Sequence, residues 1–137
     1  LLLIWVIILS ICSDVGGYIF GKIFKWKKLT KISPKKTFSG ALGSFIFSIF
    51  SLFIISSLDI KGSENINFLE IKFFFITIIF SLVAQLGDLT ISYFKRLEKI
   101  KDTGSILPGH GGIFDRIDGL MFVLIITIIF YKVNILP

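Results

Sequence analysis

The chain has 137 residues, 54% of them hydrophobic, and a formal net charge of +6. With a mean hydropathy of +0.89, it has too little polar surface to clothe a soluble domain. Its apolar residues come in blocks long enough to cross a bilayer. The positive charge is not a nucleic-acid footprint: the basic residues lie between the apolar blocks and leave no basic–aromatic surface, so membrane topology accounts for them better.

The first apolar block runs from Leu1 to about Phe24. It opens on Leu inside an apolar run, which suggests a piece of a longer protein. It lacks the basic n-region and small-residue cleavage site of a signal peptide. The lone Cys12 has no intrachain partner and reads as a small apolar helix residue. Asp14 is out of place here, since a carboxylate at membrane depth costs several kcal/mol. Gly16, Gly17 and Gly21 read chiefly as a close-packing surface for another helix.

The loop that follows is basic, with Lys22, Lys25, Lys27, Lys28, Lys31, Lys35 and Lys36. Its "KISPKKTFSG" stretch supports two readings. Ser33, Pro34, Lys35, Lys36 and Thr37 can form a phosphate-binding turn, or they can supply topological charge plus a helix cap. A second block, Ala41 to Ile60, comes next. The loop after it, "KGSENINFLEIK", balances Lys61 and Lys72 with Glu64 and Glu70.

The third block, about Phe68 to Tyr93, carries a second intramembrane carboxylate, Asp88. Gln85, Asp88, Ser92 and Lys95 recur at helical spacing and line one face. A polar stripe on a membrane helix faces protein or water. Gly87 permits close approach of a backbone or a ligand. The loop from Lys95 onward is basic and rich in glycine, and the fourth block runs from Gly119 to about Leu136.

Long unbroken apolar runs become helices in lipid, where the backbone must satisfy itself; the alternation of a membrane barrel is absent. The fold class is therefore an all-α polytopic integral membrane protein with about four transmembrane helices. Twelve of the fifteen basic residues fall in the first and third loops, which the positive-inside rule places in the cytoplasm.

The third loop, "KDTGSILPGHGGIFDRID", holds the only histidine, His110. Asp88, Asp102, Asp115 and Asp118 are hard oxygen donors suited to Mg²⁺. Lys95, Arg96 and Arg116 suit phosphate oxygens, and Arg96 and Arg116 are the only two arginines among fifteen basic residues. Pro108, Gly109, Gly111 and Gly112 let backbone N–H groups face an anion. Together these groups point to phosphoryl or nucleotidyl transfer. Zinc lacks ligands, and no Walker or dinucleotide motif is present. An ion-coupled transporter, with Asp14 and Asp88 as relays, explains the carboxylates but not this loop. A CTP-dependent polyprenol or dolichol kinase remains a nearer alternative.

The stretch Ser92–Asp118, "SYFKRLEKIKDTGSILPGHGGIFDRID", closely resembles the signature of the phosphatidate cytidylyltransferases, or CDP-diacylglycerol synthases, at every fixed position. "GDLT", "SDVGGYIFGKIF" and "SPKKTFSGALGS" also look like that family. The resemblance covers nearly all of residues 1–137 as the C-terminal portion of such an enzyme, and implies further helices upstream. It implies transfer of the cytidylyl group of CTP to phosphatidate, giving CDP-diacylglycerol and pyrophosphate for phospholipid synthesis. The setting would be a bacterial inner membrane, with the site facing the cytoplasm. It implies Mg²⁺ and leaves a second cation open, as it leaves open a homodimer. By position, Asp88 and Asp115 correspond to metal-binding aspartates. Lys95, Arg96, Asp102, His110, Arg116 and Asp118 match catalytic signature positions. Asp14, Ser33, Lys35, Lys36, Thr37, Ser92, Gly111 and Gly112 match substrate-side positions. One departure is Ser39, where many members carry glutamate.

Overall fold

The computed structural model describes residues 1–29, 36–58, 66–98 and 114–137; the side chains of residues 114–117 lie outside that description. Four helices follow in order: α1 (Leu2–Phe24), α2 (Phe38–Ser57), α3 (Ile71–Leu97) and α4 (Phe114–Lys132). Contacts between helices set their directions. Trp5 meets Phe73 and Ser13 meets Ser81, so α1 and α3 run parallel. Phe53 meets Phe74 while Ala41 meets Gln85, so α2 opposes α3. Lys95 lies near Asp118 and Phe80 near Phe130, so α4 also opposes α3. The ends of α1 and α3 and the starts of α2 and α4 therefore share one end of an up-and-down bundle.

Helix boundaries depart from the apolar blocks for local reasons. The second helix starts at Phe38, ahead of the expected Ala41, because Thr37 caps it. The Thr37 backbone is extended (φ −121°, ψ 157°), and its Oγ1 accepts from Gly40 N at 3.1 Å. Replacing Thr37 by Ala should cost about 1 kcal/mol, read as a lower unfolding midpoint in detergent. The third helix runs past Tyr93 to Leu97; Lys95 and Arg96 in its last turn complement the helix dipole. The fourth begins at Phe114, before the expected Gly119, and ends at Lys132, before the expected Leu136. Asn134 just beyond that end adopts a left-handed φ of 56°. The expected end of the second block at Ile60 lies outside the described residues.

The interior is more polar than the exterior. Along the α1–α2 seam Gly16, Gly17, Gly40 and Gly43 bring the two backbones together: a Cβ at Gly40 would sit 2.8 Å from Gly17 O. Buried serines line the same seam. Ser44 Oγ donates to Ser13 O at 2.8 Å, and Ser48 and Ser51 each donate to a carbonyl of their own helix at 2.6 Å. Such back-bonding satisfies a hydroxyl without a partner from another element. At the opposite end from the shared loops, Trp5 packs among Phe68, Phe73 and Phe80, each ring centroid 5.6 Å away.

Large apolar side chains cover the outside instead, among them Leu3, Ile11, Phe75 and Ile125, each more than half exposed. That inversion suits a bilayer, where apolar surface gains nothing by burial and small or polar residues drive helix association. Among the described residues, α1, α2 and α3 are long and apolar enough to cross a membrane. The chain is an all-helical membrane protein.

Candidate active site

The shared end of the bundle is where the charged residues meet. The segment between α1 and α2 folds back on itself through one antiparallel bridge between Lys28 and Thr37. Leu29 N donates to Lys36 O at 2.8 Å and Phe38 N to Lys27 O at 3.1 Å. These bonds fix the Lys36 backbone and aim its side chain at α3, where the ammonium pairs with Asp88 Oδ2.

Asp88 has a second neighbour. The Asp118 carboxyl on α4 is close enough to interact with it electrostatically. Asp118 is only 8% exposed. Its Oδ1 accepts from Gly119 N at 2.9 Å, and its Oδ2 lies 3.9 Å from Lys95 Nζ. The groups run in the order Lys36, Asp88, Asp118, Lys95, with two neighbouring carboxyls in the middle and an ammonium outside each. Neighbouring like charges repel, and the flanking lysines offset a repulsion that helix packing imposes. Small residues impose it: Gly119 lies against Ala84, and Gly87 against Phe122. The freedom the sequence assigns to Gly87 thus serves the Phe122 side chain on α4.

A cleft of about 210 Å³ opens beside this row, between α1, α2 and α3. Small residues at Gly17, Gly40, Ala41 and Ala84 leave the space, while Asp14, Tyr18, Lys36, Thr37, Gln85 and Asp88 give it polarity. Gln85 Nε2 donates to Ala41 O at 3.4 Å and braces α3 against α2.

Of the residues singled out in the sequence, Lys36, Thr37, Asp88, Lys95 and Asp118 come together here, and Asp14 faces the same cleft from α1. Ser92 is half-buried between Asp88 and Lys95 in sequence, and Arg96 is exposed on the last turn of α3. Asp115 and Arg116 fall in the first turn of α4, with their side chains outside the described residues. Ser33, Lys35, Asp102, His110, Gly111 and Gly112 also lie outside the described residues. Thr37 acts as the helix cap, and its Oγ1 also sits 3.0 Å from Ser39 Oγ. Sequence reasoning missed Tyr18. Its signal was present: Asp14, Tyr18 and Lys22 recur every four residues, and Lys22 Nζ lies 3.5 Å from Tyr18 Oη.

Among the described residues, no three His, Cys, Asp or Glu side chains gather as a metal nest. The Asp88–Asp118 pair nevertheless supplies hard oxygen donors at one point, and that chemistry fits Mg²⁺.

The sequence profile of the cytidylyltransferase family matches residues 1–134. The chain belongs to that family. Three relatives bear the name phosphatidate cytidylyltransferase. The one from Rickettsia conorii is 42% identical over 128 residues, covering 89% of this chain and 56% of the relative. The one from Staphylococcus haemolyticus is 46% identical over 113 residues, covering 82% and 42%. The one from Helicobacter pylori is 40% identical over 121 residues, covering 88% and 43%. The chain thus spans about half the length of the curated relatives it matches.

Proposed function

We propose that this protein transfers the cytidylyl group of CTP to phosphatidate, releasing pyrophosphate and forming CDP-diacylglycerol. The observation that carries this reading is the row Lys36–Asp88–Asp118–Lys95, with paired carboxylates and flanking ammoniums, beside a polar cleft at the loop end of a membrane bundle. Family membership and the names of the relatives support it. One substrate is a polyanionic nucleotide and the other a lipid that stays in the bilayer. Their chemistry has to meet where membrane helices end in a basic loop. By the positive-inside rule that end faces the cytoplasm, in a bacterium across the inner membrane.

In the reaction, a non-bridging oxygen of the phosphatidate monoester attacks the α-phosphorus of CTP. The bond from that phosphorus to the α,β-bridging oxygen breaks, and pyrophosphate departs with the electron pair. The phosphate monoester is already largely ionised near neutral pH, so no strong base is needed. Asp88, with Asp118 beside it and Asp115 one turn earlier on α4, would hold Mg²⁺. When bound, the ion neutralises phosphate oxygens and polarises the reacting centre. Lys95, Arg96 and Arg116 stabilise charge that builds on the transferring group and on pyrophosphate. His110 donates to a phosphate oxygen, and Asp102 belongs with the catalytic groups. Ser33, Lys35, Lys36, Thr37, Ser92, Gly111 and Gly112 contact the substrates. The cleft is smaller than the ~300–1,000 Å³ of a whole-ligand site. It therefore takes one phosphate-bearing part of a substrate, with Asp14 and Tyr18 on its far wall.

The test uses purified protein in detergent with dioleoyl phosphatidate, labelled CTP and Mg²⁺. CDP-diacylglycerol and pyrophosphate should form together and only when all three components are present. Release of CDP instead would make the protein a CTP-dependent lipid kinase, and absence of any lipid product from folded protein would overturn the reading.

A further inference from the structure

In the row Lys36–Asp88–Asp118–Lys95 each of two neighbouring carboxyls has an ammonium beside it, Lys36 on Asp88 and Lys95 near Asp118. A divalent cation placed on the two carboxylates neutralises them equally well. The row cannot easily hold all three cationic groups at once, because Lys36 Nζ already lies on Asp88 Oδ2. Its attachment differs from that of its partners. Asp88 and Asp118 are set by packed helices, with Gly119 against the Ala84 carbonyl. Lys36 sits on a backbone pinned by the Lys28–Thr37 bridge and reaches Asp88 through a flexible four-carbon stem. The cleft that Lys36 borders is the space into which its ammonium can turn.

We infer that Lys36 is a built-in placeholder for the metal: its ammonium occupies Asp88 until a divalent cation arrives, then turns into the adjoining cleft to bind a substrate phosphate. This rests on the reading of the site as a metal-assisted nucleotidyltransferase and adds a coupling that reading does not contain. Metal entry and creation of the anion-binding ammonium become one event. By linkage, whatever favours one favours the other. The device also keeps the carboxylate pair neutralised when no metal is bound, so the bundle end is not left with two repelling charges. Lys36 acts here through Asp88, as a positioning residue toward the ion, and touches substrate only after release.

The test reads metal binding directly. Mn²⁺ is titrated into the full-length protein in detergent micelles, without nucleotide, and free Mn²⁺ is followed by electron paramagnetic resonance. Lys36→Met removes the competing ammonium and should tighten Mn²⁺ binding roughly tenfold, a ratio equivalent to 1.4 kcal/mol. Lys36→Arg keeps a cation there and should stay near the wild-type affinity. At the same time Lys36→Met should raise the KM for CTP, because the phosphate-binding ammonium is gone. Thermal unfolding of each variant checks folding, and Lys36→Gln replaces Lys36→Met if the latter unfolds. Unchanged or weaker Mn²⁺ binding in the folded neutral variant overturns the placeholder. The Mn²⁺ titration needs no turnover, so a wild-type protein that makes no CDP-diacylglycerol would sink the proposed activity and leave this result to be judged separately.

Discussion

Asp88→Asn should lower kcat for CDP-diacylglycerol formation by about a thousandfold while leaving the helical bundle intact. Asparagine has the same shape as aspartate, so packing on α3 is preserved and any loss is electrostatic. Among the described residues, Asp88 links both halves of the site, pairing with Lys36 from the first loop and lying beside Asp118 on α4. Neutralising it removes the carboxylate that pairs with Lys36 and takes a hard oxygen donor from the metal position. Losses of about 10²–10³ follow when one fixed group that stabilises transition-state charge is removed from a site shielded from bulk water. Losing a metal donor as well puts this change at or beyond the top of that range. Asp88→Glu keeps the charge but moves it by one methylene, and should fall between wild type and Asp88→Asn. Steady-state kinetics with saturating phosphatidate, together with circular dichroism and a melting curve, give the check. A kcat within threefold of wild type in folded Asp88→Asn would remove Asp88 from the reaction.

Gly43→Leu should separate α1 from α2 and destabilise the fold by about 3 kcal/mol, with Gly43→Ala costing about 1–2 kcal/mol. A Cβ at Gly43 would stand 2.5 Å from the Gly16 carbonyl oxygen and 2.5 Å from Phe20 Cβ. The first obstacle is backbone and cannot rotate away. Overpacking a tight contact ordinarily costs 1–3 kcal/mol. In a bilayer the separated surfaces gain no hydrophobic penalty that would press them back together, because lipid tails are as apolar as the side chains. The neighbouring bond from Ser44 Oγ to Ser13 O, at 2.8 Å, would stretch with the seam. The unfolding midpoint in mixed detergent micelles measures the loss. Gly119→Ala provides a contrast: its Cβ would meet the Ala84 carbonyl oxygen at 3.0 Å, so a small shift relieves it and the penalty should be under half that of Gly43→Leu.

Much of this architecture is legible in one dimension because a membrane leaves the chain few options. An apolar run of twenty residues has no route to satisfied backbone bonds in lipid except a helix, so four blocks meant four helices. The uneven lysine distribution separated one set of loops from the other, and the up-and-down bundle has the first and third loops at a common end. The spacing of Gln85, Asp88, Ser92 and Lys95 announced a face turned toward protein or water. Gln85 does reach Ala41, Asp88 reaches Lys36, and Lys95 approaches Asp118. The close-packing role of Gly16 and Gly17 was also readable, since small residues on a membrane helix have little other use.

Tertiary structure alone decided who meets whom. Nothing local to "SPKKT" says that Lys36 pairs with Asp88; the Lys28–Thr37 bridge and the rotation of α3 bring them together. Nothing local to "DRID" says that Asp118 neighbours Asp88; the closeness of α4 to α3 at Gly119 and Ala84 brings them near. Helix boundaries at Phe38 and Leu97 were likewise set by a cap and by a charged last turn more than by hydropathy. Periodicity along a chain records which face of each helix avoids lipid, a property of one element. A pairing between elements depends on the rotation, register and separation of two helices together, and these are fixed only when the whole bundle packs.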